Sequence, residues 1–70
     1  MSAPVAIVGA GSIGVSWAIV FARAGRSVRM QDPDAARREA VPGEIAARLA
    51  QLDEAGLLDE APDAIAARVT

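Results

Sequence analysis

Cysteine, histidine, lysine and tyrosine are all missing from these 70 residues. Without cysteine there is no disulfide framework and no thiolate metal site, which excludes a small secreted, stapled fold and makes a reducing cytoplasm the default compartment. Without histidine, tyrosine and lysine, the chain lacks the commonest general bases, the imidazole metal ligands and every amine nucleophile except its N-terminus. Such a chain is poorly equipped for catalysis by itself. Positive charge is scarce as well: seven Arg face nine acids, a net charge of −2, so a generally basic nucleic-acid binder is excluded. No apolar run approaches the roughly 20 residues of a membrane span. The most apolar stretch, residues 13–22, is preceded by glycines and not by the basic residues of a signal peptide. A soluble, untargeted protein is expected, with no nucleic-acid or membrane partner.

The apolar fraction of 53% includes seventeen Ala residues, each of which buries little area, so the core is poor in volume. Charge is distributed unevenly. Residues 1–31 carry Arg23, Arg26 and Arg29 and no acid, whereas residues 32–70 carry nine acids and four Arg. The N-terminal part is therefore the better host for an anionic ligand.

Val5 to Val8 is a continuous apolar run between Pro4 and Gly9, which predicts a strand at 4–8 buried on both faces of a parallel sheet. Residues 12–24 predict a helix with Ile13, Trp17, Val20, Phe21 and Ala24 along its packed side, ended by Gly25. Residues 27–31 predict a second strand, stopped by Asp32-Pro33-Asp34. Beyond Asp34 the spacing of Ile45, Leu49 and Leu52 is helical, but Pro42-Gly43 interrupts it. Helices at 34–40 and 43–55, or one kinked helix, satisfy the pattern. Leu57 and Leu58 would anchor the next turn, Pro62 opens a short helix through Ala67, and Val69-Thr70 would begin a third strand. The order is that of an α/β fold.

Gly9-Ala10-Gly11-Ser12-Ile13-Gly14 is a G-x-G-x-x-G that leaves a predicted strand and opens a predicted helix, the context that turns a weak motif into a dinucleotide-binding signature. Gly9 allows the tight turn, Gly11 lets backbone approach a pyrophosphate, and Gly14 lets the helix pack closely on the strand. The free amides of Ser12, Ile13 and Gly14 would hold the phosphates. Asp32 follows Gly11 by 21 positions, where an acid accepts from the ribose hydroxyls and repels a 2′-phosphate, favouring NAD over NADP. The bland alternatives are a mere tight turn for the glycines and a strand-end turn former for Asp32. Arg37 and Arg38 read as a solvated helix face beside Asp34 and Glu39, and Trp17 as a packing residue.

The run from Val5 to Asp32, VAIVGAGSIGVSWAIVFARAGRSVRMQD, resembles the NAD-binding segment of the 3-hydroxyacyl-CoA dehydrogenase family. Gly11 to Ala18 leans toward the branch that includes lambda-crystallin, an L-gulonate 3-dehydrogenase. The resemblance implies that residues 1–70 are the N-terminal part of a Rossmann-type, doubly wound parallel sheet, with the rest of that domain and a C-terminal helical domain absent. It further implies NAD as cofactor, a 3-hydroxyacyl-CoA or 3-hydroxy acid as small-molecule substrate, and a homodimer. The family's catalytic His–Glu pair and its substrate-contacting Ser and Asn lie beyond the equivalent of Thr70, so no catalytic residue falls within this chain. Pro42-Gly43 departs from the family's unbroken helix. A flavoprotein turn, which Gly9, Gly11, Gly14 and Ala18 also fit, and a non-catalytic dinucleotide-binding protein remain alternatives.

Overall fold

The structure, a computed structural model, describes residues 3–70. Its elements are β1 (Val5–Val8), α1 (Ser12–Arg23), β2 (Val28–Gln31), α2 (Ala35–Glu54) and α3 (Pro62–Ala66). β1 and β2 run parallel, pairing Val5 with Val28 through Val8 with Gln31. Such a pair needs a crossover on one face of the sheet, and α1 supplies it. Where a third strand was expected there is a single isolated bridge: Val69 bridges Val28 in parallel, with Thr70 N–H donating to Val28 O at 2.8 Å and Met30 N–H to Thr70 O at 3.0 Å. This arrangement is the N-terminal part of a Rossmann-type fold.

The predicted two-sided burial of β1 is not found. Val5 and Ile7 are half-buried while Ala6 and Val8 are exposed, Val8 at 80%. Side chains alternate across a strand, so this alternation means that helices cover only one face.

The packed side of α1 also differs from the expected one. Val15, Ala18, Ile19 and Ala22 are buried, whereas Ile13, Trp17 and Val20 are more than half exposed. The helix is apolar nearly all round, so two stripes with helical spacing compete. The winning stripe contains Ala18 and Ala22, whose small side chains let the helix approach both strands, α2 and α3. The larger residues are left outside.

α2 is one continuous helix across Pro42, so the expected break into helices at 34–40 and 43–55 is not found. Proline in a helix interior costs about 3 kcal/mol relative to alanine. Here Pro42 and Gly43 lie on the exposed side, while Val41, Ile45 and Leu49 are buried against the core. Tertiary burial of three branched side chains offsets the local cost. Asp34 caps the helix, accepting from Ala36 N–H at 2.9 Å. Leu52 and Leu58 pack against the core from its edge, but Leu57 is exposed. Gly25 and Gly56 close α1 and α2 with the paired hydrogen bonds of Schellman turns, Arg26 to Phe21 and Leu57 to Leu52 (both 3.0 Å) completing them. Arg68 then ties the chain end to α1: its Nη1 donates to Ala22 O at 2.9 Å and to Glu60 Oε2 at 2.8 Å.

Candidate functional site

The tip of β1 and the first turn of α1 form one wall of an open groove of about 520 Å³. Ile7, Val8, Gly9, Gly11, Ser12, Ile13 and Gly14 line it, together with Trp17 and Arg37. All the glycines of the G-x-G-x-x-G are thus brought together, and each answers a different physical demand.

Gly9 has φ +101°, a backbone conformation that side chains rarely adopt, and this turns the chain sharply from strand to helix. A Cβ built on Gly14 would overlap the carbonyl oxygen of Gly9 and touch Ile7 Cγ2 at 3.5 Å, so close helix–strand approach requires glycine there. Gly11 is the informative one. Its φ −76° and ψ −175° suit any residue, and a Cβ on it would meet nothing within 4 Å. Neither conformation nor packing within the protein demands glycine at this position. What a side chain would fill is the space in front of the helix.

That space faces the positive end of α1. Gly11 provides no side-chain cap, so the amides of Ser12, Ile13 and Gly14 point outward without helical partners. The first turn contains no acid to compensate them. Oriented donors at a helix N-terminus make an anion-binding cradle suited to phosphate.

Asp32 lies at the tip of β2 and is 8% exposed. Its Oδ2 accepts from Ala10 N–H at 2.9 Å and its Oδ1 from Asp34 N–H at 2.8 Å. Asp32 stands at the end of the second strand, as expected, and its bond to Ala10 gives the side chain a task that the expectation omitted. It fastens the turn to β2. Each carboxylate oxygen retains further acceptor capacity, and Asp32 itself is not among the residues that line the groove.

These amides hold the Asp32 carboxyl below its ordinary value, Ala10 first and Asp34 second; burial opposes them, and Arg37 and Arg38 add smaller favourable contributions. A carboxyl depressed in the folded state stabilises it above the unfolded value, and that contribution is lost as pH falls through the folded one. Acid should therefore loosen the glycine turn only below the ordinary carboxylate range. An NMR titration is expected to show the Ala10 amide and the Asp32 carboxyl carbon moving together there; an Ala10 amide that titrates at the ordinary value would contradict the link.

The surroundings add residues that sequence reasoning placed elsewhere. Arg37, read as part of a solvated face, lines the groove with Nη1 4.0 Å from Asp32 Oδ2. Arg38 donates to the backbone oxygen of Asp32 at 2.6 Å. Trp17, read as a packing residue, is 54% exposed, lines the groove and stacks on Phe21 with ring centroids 5.9 Å apart. Arg48 of α2 reaches the start of α1, donating to Ser12 Oγ at 2.8 Å, Ser16 Oγ at 2.7 Å and Ser12 O at 3.2 Å. The Ser12 hydroxyl thus accepts from Arg48, and its own proton remains free to donate beside the backbone amide. Among the described residues no group of three or more acids converges in a way that could hold a metal ion, and no helix is long and apolar enough to cross a membrane.

A glycine required by nothing but open space, beside an uncapped helix N-terminus and an acid at the second strand tip, is the geometry of a dinucleotide cradle. Residues 4–70 match the family described as 3-hydroxyacyl-CoA dehydrogenase, NAD binding domain. The chain belongs to this family. NAD is accordingly the cofactor of the domain, and the flavoprotein alternative is set aside. No curated protein matches the chain.

Proposed function

We propose that this chain is the cofactor-holding segment of an NAD-dependent dehydrogenase that oxidises the 3-hydroxyl of an L-3-hydroxyacyl-CoA, or a related L-3-hydroxy acid, to a 3-keto group. The observation that carries the reading is Gly11: its conformation and neighbours allow any residue, yet a side chain there would enter the space before the amides of Ser12, Ile13 and Gly14. The resemblance of Gly11 to Ala18 to the lambda-crystallin branch favours a free hydroxy acid such as L-gulonate as the finer alternative to an acyl-CoA.

In this proposal Gly9, Gly11, Ser12, Ile13 and Gly14 form the pyrophosphate cradle. The amides of Ser12, Ile13 and Gly14 neutralise its charge, and Gly14 keeps α1 close enough to β1 to aim them. Asp32 accepts from the adenosine ribose hydroxyls while its bond to Ala10 N–H keeps the cradle in register with β2. Bound NAD supplies the hydride acceptor. Removal of the hydroxyl proton is assigned to a base outside these residues, in keeping with a chain that has no His, Lys or Tyr.

The experiment is a calorimetric titration with NAD of the whole protein that supplies this base, followed by NADH formation at 340 nm with L-3-hydroxybutyryl-CoA and with L-gulonate in parallel. Binding with turnover of either compound is the expected result, and the preferred compound selects between the two substrate classes. Failure to bind NAD would overturn the proposal. Binding without turnover of any 3-hydroxy substrate would leave a dinucleotide-binding protein and remove the dehydrogenase.

A further inference from the structure

Behind the cradle, one side chain of α2 holds both hydroxyls at the start of α1. Ser12 and Ser16 stand one helical turn apart on the same side of α1, and Arg48 reaches them across the gap between the helices. Its Nη2 donates to Ser12 Oγ at 2.8 Å, and its Nη1 to Ser16 Oγ at 2.7 Å and to Ser12 O at 3.2 Å. Glu44, one turn earlier on α2, accepts from Nη2 at 3.3 Å and steadies the guanidinium. The two hydroxyls are used differently. Ser16 Oγ accepts from Arg48 and spends its own proton on Ser12 O at 3.0 Å. Ser12 Oγ accepts from Arg48 and, among the described residues, donates to none. Ser12 lines the groove, whereas Ser16 and Arg48 do not.

We propose that Arg48 is a positioning residue for the cofactor's pyrophosphate: by donating to Ser12 Oγ it aims the remaining hydroxyl proton into the groove, where Ser12 donates to a phosphate oxygen beside its own amide. The inference rests on the reading of the glycine turn as a pyrophosphate cradle given above. A serine hydroxyl left to itself rotates, and can present a lone pair as readily as a proton. A lone pair turned toward an anion repels it. Arginine removes that choice, because a guanidinium has donors and no acceptor, so the hydroxyl must offer it a lone pair and send its proton elsewhere. Accepting from a cation also makes the hydroxyl a stronger donor, since hydrogen bonds in series polarise one another. The direction of one donor at the head of α1 is thereby set from α2.

The test measures equilibrium binding of NAD, ADP and adenosine by calorimetry on the whole protein and on S12A, R48M and S12A/R48M, methionine keeping the aliphatic packing of the arginine stem. S12A is expected to weaken NAD and ADP about tenfold and R48M by a similar factor, while adenosine, which carries no phosphate, keeps its affinity in both. In the S12A background R48M should cost no more than about twofold further. Losses that multiply in the double variant would overturn the proposal, because Arg48 would then act by charge or packing and not through the Ser12 hydroxyl. Equal weakening of adenosine and ADP by R48M would overturn it too, as the mark of a general loosening of α1 against α2. Should R48M fail to fold, R48K takes its place in the same cycle. An ammonium keeps the charge without the planar fork, so a several-fold loss of NAD affinity that is present with Ser12 and absent in the S12A background is expected, and any other pattern overturns the proposal. Failure of the unaltered protein to bind NAD is a separate result, and it removes the cradle reading beneath the proposal.

Discussion

Replacing Gly14 with valine should cost both stability and cofactor binding. A Cβ at this position overlaps the carbonyl oxygen of Gly9, a backbone atom that cannot rotate aside, and approaches Ile7 Cγ2. The first turn of α1 must then lift away from β1, taking with it the amides that define the cradle. Overpacking of a well-fitted contact costs about 1–3 kcal/mol, and a clash with backbone lies at or above the upper end of that range. Alanine should act in the same direction with a smaller loss. Urea unfolding of the native protein and of both variants measures the first effect, and NAD titration the second. Gly43→Ala is the control, since a Cβ there meets nothing within 4 Å and lies on the exposed side of α2. If Gly14→Val leaves the unfolding midpoint and NAD affinity where they were, α1 does not press on the turn as described.

Gly11→Val separates the two effects. The backbone at Gly11 is extended and accommodates valine, and no protein atom lies within 4 Å of the new Cβ. Stability should therefore stay within about 0.5 kcal/mol of the native value, as for an ordinary exposed substitution. NAD affinity should fall by about a hundredfold or more, because the branched side chain occupies the place of the pyrophosphate and shields three amides. The diagnostic quantity is the contrast: Gly14→Val loses both properties, Gly11→Val only one. A Gly11→Val protein that binds NAD normally would reduce the G-x-G-x-x-G to a turn and nothing more.

The β1, turn, α1, β2 succession was legible because Pro4, Gly9, Gly25 and Pro33 punctuate it and the apolar runs between them have unambiguous lengths. The buried face of α1 was not. A helix with Val15, Ala18, Ile19 and Ala22 on one side and Ile13, Trp17 and Val20 on another has no period that selects between them. Size misleads in this case, since close approach to a sheet favours the smaller stripe. The unbroken α2 was hidden for the opposite reason: Pro42 sends a strong local signal that Val41, Ile45 and Leu49 override by burial, an effect no local pattern carries.

At the site, the three glycines and Asp32 could be read because their chemistry depends on residue type and spacing. Ala10 could not, since it contributes only a backbone amide, which every residue but proline possesses. Arg37 and Arg48 act across elements, and their positions follow from how α2 lies against the β2 tip and the start of α1. A helix-face pattern of alternating charges conceals such roles.

The parallel pairing of β1 with β2 also governs the order in which the molecule comes apart. Two parallel strands cannot zip from a hairpin but need the connection that α1 makes, so their hydrogen bonds are expected to form together with the packing of Val15, Ala18, Ile19 and Ala22. Opening of that unit releases the Gly9 N–H to Gln31 O bond and the Ala10 N–H to Asp32 bond together. Slowly exchanging amides in the glycine turn and in β2 are therefore expected to share one opening free energy, which native-state hydrogen exchange measures. A ligand gripping the turn raises it for the whole unit, out to the far end of β2.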